Sequence, residues 1–341
     1  MLKITNLKQT YFYGTTAIKG LDLEVADGEK IAILTKSGGG KTSLLKCIAG
    51  LFPADEGSSI VLDGKDITKE KIKNRDVRLI YDDGGLIRKR SVKYNLEYPL
   101  IIRKVAKNER REIVDNICRE YDLLPFCKET AYRLFEPQIV TLALARASLR
   151  ESKLTLIDDI FSLLKGEERR LLFNQLLPKM RSISGITIFA TDSLEEAFSF
   201  GDRVVVFNAG YHLQTGTPFE LLTNPNCLFV DNYVNPYKST LCVGVVDGYV
   251  TIDDLKIKLP EDYDSDEAII TYYVKESVTG DSFVPSIKRY VGNGLYCYQN
   301  EAGDSLISND IKSDTKVSID KSSIRVYHRI NEKLLTTSIV E

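Results

Sequence analysis

The stretch that most limits the fold is Ile31-Ala32-Ile33-Leu34, followed at once by Thr35-Lys36-Ser37-Gly38-Gly39-Gly40-Lys41-Thr42. Four consecutive apolar residues suit a strand buried on both faces. Three glycines in a row cannot extend that strand, and the residues after them predict a helix from Thr42 to Ala49. The run matches the phosphate-binding pattern GxxxxGK[ST] everywhere except its first position, where Thr35 stands for glycine. Backbone N–H groups of Gly38, Gly39 and Gly40 can close around an anion because no Cβ intervenes. The helix N-terminus adds a favourable dipole. Lys41 offers a cation to β- and γ-phosphates, and Thr42 a hydroxyl to Mg²⁺. A plain glycine turn beside an ordinary helix is the alternative; the strand–loop–helix context favours nucleotide binding. If position 35 required positive φ, a β-branched residue there would strain the loop.

The rest of the chain alternates in the same style as far as about residue 235. Residues 1–30 read as β-rich, with Leu21 to Val25 alternating and Asp27-Gly28 marking a turn. Leu154 to Ile157 and Ile186 to Ala190 are two further buried strands, with a helix expected from Glu167 to about Arg181 between them. Residues 84–150 read as helical, notably around 103–121 and 137–150. This alternation implies a mainly parallel sheet covered by helices. Beyond Asn235, short alternating runs such as Val243 to Val246 and Ala268 to Tyr272 are broken by Gly, Asp and Asn, which predicts an all-β second domain, a small barrel. Its tyrosines (Tyr272, Tyr273, Tyr290, Tyr296, Tyr298) read as core and cross-strand pairs.

Composition narrows the function classes. With 46 basic and 48 acidic residues and a net charge of -2, no strong field points to nucleic acid or an anionic membrane surface. Six cysteines without a CxxC pair read as incidental thiols in a reducing compartment. Met1 to Thr5 opens straight into a strand-like alternation, so no leader is expected. No run approaches the roughly 18 apolar residues of a membrane helix. Work at a membrane would therefore go through partner proteins.

Several further segments stand in a telling order. Tyr13-Gly14 precedes the loop, Asp158 ends a strand, and Leu142 to Ala147 lies within a helix. Then come Ala190-Thr191-Asp192-Ser193-Leu194-Glu195-Glu196-Ala197, Gly201 to Val206, Gly216 to Leu222 and Asp320 to Tyr327. In this order and spacing the chain resembles, over essentially its full length, the ATP-binding subunits of ABC importers for sugars and glycerol phosphate. The resemblance implies an α/β P-loop NTPase (ABC ATPase) domain over 1–235, with a helical subdomain over about 84–150. A small all-β, OB-like regulatory domain would follow over 236–341. It implies ATP and Mg²⁺ as cofactors. Tyr13 would stack on adenine, while Lys36, Ser37, Gly38, Gly39, Gly40, Lys41, Thr42 and Ser43 would surround the phosphates. Thr42, Asp158 and Asp82 would face the metal. Partners would be permease subunits, a second ATP-binding subunit (the same chain or another) and, indirectly, a solute-binding protein, at the cytoplasmic face of the membrane. No nucleic-acid partner is expected.

The departures from the family pattern fall on the chemistry. Leu134-Phe135-Glu136-Pro137-Gln138 stands where the family has LSGGQ. Phe135 has no hydroxyl and Pro137 no N–H, and Glu136 answers the helix dipole itself. The segment reads as a plain helix cap rather than an anion site. Asp159 replaces the catalytic glutamate and is one methylene shorter. Asp192 replaces the switch histidine and Asp82 the glutamine of the Q-loop, while Lys165 replaces the D-loop aspartate. Asp159 and Asp192 are the catalytic candidates. Two extra carboxylates oppose a polyanion unless Mg²⁺ or a cation such as Lys165 of a partner offsets them. Three readings follow: an ATP-binding subunit with weak or absent hydrolysis, an active homodimeric ATPase, or a scaffold that needs no nucleotide.

Overall fold

Leu2 and Ile4 are buried and Lys3 and Thr5 exposed along the strand β1 (Leu2–Thr10), the alternation of a sheet with one face on a core. It pairs antiparallel with β2 (Thr16–Val25) and with β4 (Ser59–Leu62), setting Leu2 opposite Val25 and Ile4 opposite Ile60. β5 (Lys65–Asp66) completes this four-stranded sheet in the order β2-β1-β4-β5. β3 (Lys30–Leu34), β7 (Leu154–Asp158) and β8 (Ile186–Thr191) are instead buried at every position, as strands covered on both faces must be. With β6 (Val77–Ile80), β9 (Arg203–Asn208) and β10 (Tyr211–Gly216) they form a six-stranded sheet in the order β10-β9-β3-β8-β7-β6, parallel except at β10–β9.

This computed structural model describes residues 1–81, 85–236, 238–252, 255–272, 274–277, 281–282, 287–292, 295–299, 305–308, 316–320, 323–335 and 338–340. The helix α1 (Lys41–Ala49) lies in the core between the two sheets, where Leu44, Leu45 and Ile48 meet Leu2, Ile4, Ile33 and Ile188. Leu45 is fully buried, so truncating it to alanine would cost about 2–5 kcal/mol. The opposite face of the parallel sheet carries an aromatic cluster. Phe161 meets Phe173 edge-on at 5.5 Å, and Phe189 meets Phe200 at 5.3 Å. Those contacts fasten α5 (Gly166–Arg181) and α6 (Leu194–Phe200) beside the ends of β7 and β8. The helical region comprises α2 (Val92–Ile102), α3 (Lys107–Glu120) and α4 (Glu136–Ser148). Ser91 caps α2 by accepting from the Tyr94 N–H at 3.1 Å. Buried Asn95 holds the preceding loop by accepting from the Ile87 N–H and donating to the Ile87 and Ser91 carbonyls.

The chain divides into compact units at Met1–Pro218 and Phe219–Glu341. The second unit thus starts ahead of residue 235, where the sequence changes character. The reason is Asp231, fully buried on the helix Leu228–Val234. It accepts from the hydroxyls of Thr271 and Tyr327 at 2.8 Å each, from the Asn235 amide at 2.7 Å and from Arg325 at 2.5 Å. That one carboxylate ties the helix to the β-strands. The strands described there form three-stranded antiparallel sheets, one of them Ser239–Gly244, Glu267–Tyr272 and Arg325–His328. Val250, Ile257, Ile270 and Val326 form the core, with Tyr272 buried among them. Tyr273 and the side chains of Tyr290, Tyr296 and Tyr298 lie outside the described residues.

Candidate functional site

The strand order brings the carboxyl ends of β3, β7 and β8 side by side: Leu34 sits opposite Thr191, and Asp158 opposite Ala190. Ligands in open α/β sheets bind at such an edge. The loop after β3 carries its left-handed residues at Gly38 (φ +79°) and Gly40 (φ +106°), and Thr35 keeps a negative φ. The strain that a positive φ at Thr35 would bring is therefore absent. Thr35 acts instead through its side chain. A Cβ on Gly39 would lie 1.9 Å from Thr35 Oγ1, and one on Gly40 3.0 Å from the Ala17 carbonyl. The loop accordingly accepts only glycine at both places. Within the loop the Gly39 N–H donates to the Lys36 carbonyl at 3.0 Å.

Lys41 is buried at the start of α1. Its Nζ lies 2.8 Å from Asp159 Oδ2 and 3.5 Å from the Thr35 carbonyl. Thr42 Oγ1 donates to Asp158 Oδ1 at 3.2 Å, so the two expected metal ligands touch. That pairing suits a magnesium ion held between hydroxyl and carboxylate, and Lys41 beside a helix N-terminus suits phosphate. The residues present therefore fit MgATP. Asp82 lies outside the described residues. Ser43 is buried, its Oγ in a short hydrogen bond with the Tyr11 hydroxyl. It braces the segment before the loop rather than facing outward. Tyr11 in turn stacks on Tyr13, ring centroids 5.2 Å apart and 12° from parallel, leaving Tyr13 exposed. Lys36 and Ser37 stand exposed at the loop tip.

Asp159 adopts φ +44°, uncommon for a residue with a Cβ. Burial pushes its carboxyl above the usual aspartate range, opposed by the Lys41 ammonium and reinforced by Asp192. Its Oδ1 is buried without a hydrogen bond, 3.8 Å from Arg169 Nη2. Arg169, in the first turn of α5, is a cation of this chain beside Asp192 that the sequence does not single out. Arg169 Nε and Nη2 reach Glu196 Oε1 and Oε2 at 2.5 and 2.9 Å, and Nη2 reaches Asp192 Oδ1 at 3.0 Å. Glu196 is buried and also accepts from the Thr191 hydroxyl. The Glu196 carboxylate is the main reason the guanidinium is held still more firmly protonated than usual. One signal was legible: a cation near the N-terminus of a helix opposes the helix dipole and calls for acidic partners.

The segment in the signature position is a helix start. Phe135 caps α4 and is 72% exposed, and its backbone N–H donates to the Gln138 side chain at 3.0 Å. Thr141 donates to the Pro137 carbonyl at 2.7 Å. Phe135 therefore turns an aromatic ring, not a hydroxyl, toward solvent.

A protein-family model described as ABC transporter matches residues 18–162. The chain is 31% identical over 260 residues to the Fe(3+) ions import ATP-binding protein FbpC of Mannheimia succiniciproducens, covering 76% of this chain and 73% of that one. It is 34% identical over 234 residues to the spermidine/putrescine import ATP-binding protein PotA of Marinobacter nauticus, covering 69% of this chain and 62% of that one. Among solved structures, the cbiO1 component of an ABC transporter complex from Clostridium perfringens superposes with a TM-score of 0.58 at 23% identity, over 65% of this chain and 90% of that one, a likeness of fold.

Proposed function

The chain belongs to the ABC transporter family, and from that premise we propose that it is the ATP-binding subunit of an importer that binds MgATP with weak or absent hydrolysis. The observation that carries this reading is a contrast within one unit. Lys41, Thr42 and Asp158 stand together at the strand ends, with Thr42 and Asp158 3.2 Å apart, which supports binding. The signature position is a helix cap built from Phe135, Glu136 and Pro137. When bound, magnesium would draw off phosphate charge and orient the triphosphate. Thr42 and Asp158 would hold it, Lys41 would release Asp159 to meet the β- and γ-phosphates, and Arg169 would keep Asp192 neutralised beside them. Slow turnover follows because the segment meant to close over the phosphates from a second subunit offers neither Ser hydroxyl nor glycine N–H.

The related proteins are named for iron and for polyamines, so the solute class rests on the sequence resemblance, which points to sugars or related solutes. Permease subunits and a second ATP-binding subunit, the same chain or a competent homologue, complete the proposed assembly at the cytoplasmic face. None of the helices among the described residues is long and apolar enough to cross a membrane. A cleft of about 560 Å³ supports permease docking; Tyr98, Pro99 and Ile102 line it together with Arg103, Arg146 and Glu151.

A second reading, an active ATPase, is favoured by the buried Oδ1 of Asp159, which has no hydrogen bond and a raised proton affinity, as a water-orienting carboxylate would. Calorimetry of MgATP binding with phosphate release followed in the same sample separates the readings. Binding without release supports the proposal. Release abolished by Asp159→Asn supports the active enzyme, and no binding at all leaves a scaffold.

A further inference from the structure

Cys118 and Cys127 lie nine residues apart and meet in the fold. Cys118 is fully buried in the last turn of α3. The chain then reverses: the Leu123 N–H donates to the Cys118 carbonyl at 2.8 Å, and a short turn over Leu124–Phe126 delivers Cys127, which is half-buried. The Cys127 thiol points at the Cys118 sulfur, 3.0 Å away, with the Leu123 carbonyl at 3.4 Å. We propose that Cys118 and Cys127 are an oxidation site, a dithiol that hydrogen peroxide converts to a disulfide.

The two sulfurs divide the work by exposure. Cys127 can be reached from solvent and takes the oxidant. Its thiolate attacks one peroxide oxygen, the O–O bond breaks, and the other oxygen leaves as water after protonation. Cys127 is then a sulfenic acid, oxidised by two electrons. Cys118, buried and pushed up to about 12 chiefly by that burial, stays a thiol until this point. Its sulfur then attacks Cys127 Sγ; the S–O bond breaks, and hydroxide leaves with the Cys118 proton as water. Two thiols and one peroxide give one disulfide and two waters. The sulfurs need approach by only about 1 Å to reach bonding distance. Transient sensing bonds of this kind are the ones that occur in reducing compartments.

The bond would stiffen a defined junction. The Cys127 carbonyl accepts from the Lys93 N–H at 3.1 Å, and the Glu129 carbonyl from the Val92 N–H at 2.9 Å. The segment holding Cys127 therefore serves the first turn of α2, and a disulfide would lock the end of α3 to it. The same strip continues through Ala131 and Tyr132, which donate to the Arg90 and Arg88 carbonyls, toward Phe135. Oxidation would thus be felt beside the signature position whatever nucleotide does.

The test uses the full chain treated with hydrogen peroxide, then trypsin without reductant. Cleavage after Arg111, Arg119 and Lys128 places the two cysteines on separate peptides, 112–119 and 120–128. The expected product is these two peptides joined, two hydrogens lighter than their sum, with titratable thiols down by two from six and restored by dithiothreitol. Cys118→Ser should halt at a Cys127 sulfenic acid that dimedone labels. Recovery of the two peptides unlinked after peroxide, with Cys127 carried on to the sulfinic acid, would overturn the proposal; that measurement on the wild-type chain stands even if the variant fails to fold.

Discussion

Replacing Arg169 with glutamine tests the charge arrangement at the site most directly. Arg169 grips Glu196 through two contacts, at 2.5 and 2.9 Å, and Glu196 is 4% exposed. Removing one partner of a buried pair leaves an uncompensated charge and costs about 3–5 kcal/mol. Glutamine can still donate once to Glu196, so the lower figure applies, about 3 kcal/mol. For a unit of this size each kcal/mol shifts the melting temperature by about 2–4 °C. The variant should therefore melt about 6–12 °C below the wild type in a calorimetric scan. Glu196→Gln in the same chain removes the stranded charge and should recover most of that loss. Asp192→Asn, at a side chain 41% exposed, should cost less than about 1 kcal/mol. If Arg169→Gln melts within about 2 °C of the wild type, or if the double variant is no better than the single one, Arg169 is not the counter-ion of this site.

Lys41→Ala should weaken MgATP binding by about 10–150-fold in titration calorimetry, the loss of one charge-assisted contact. Burial raises the Asp159 carboxyl above its ordinary 3.8. Its contribution to stability is thus full below pH 3.8 and is lost as pH rises through the raised value. Asp159→Asn lacks this loss, so the stability difference, variant minus wild type, should grow with pH across that window; a flat difference in chemical denaturation would refute it. In the second unit, Lys238 is held at about 8, chiefly by burial. Its contribution is full above 10.5 and lost as pH falls through about 8. Lys238→Met should therefore be neutral or stabilising at pH 7, whereas Asp231→Ala, which strands Arg325 and Lys238, should cost about 3–5 kcal/mol in urea unfolding.

Much of the first unit was legible because local pattern decides it. Ile31 to Leu34 is apolar at every position and Leu154 to Ile157 at all but Thr155, and both lie in strands buried at every position. The helix read from Thr42 to Ala49 forms one residue earlier, at Lys41. The antiparallel sheet of β1, β2, β4 and β5 was legible only as β-rich character, since alternation says which face is wet but not which strand is the neighbour. Thr35 was read as a backbone problem; the structure makes it a side-chain one, answered by Gly39. The cation beside Asp192 is not legible locally, because Arg169 lies 23 residues away in sequence.

Local pattern alone dictates that a strand, a glycine loop and a helix present Lys41 and Thr42 together, because those residues adjoin in the chain and the periods of strand and helix are local properties. What surrounds them is set by the assembled fold. Asp158 reaches Thr42, Asp159 reaches Lys41 and Arg169 reaches Asp192 and Glu196 because β3, β8 and β7 are neighbours in the sheet and the phenylalanine cluster fixes α5 and α6 behind them. Strand order and helix docking are set by burial summed over the whole core, which no short window of sequence contains.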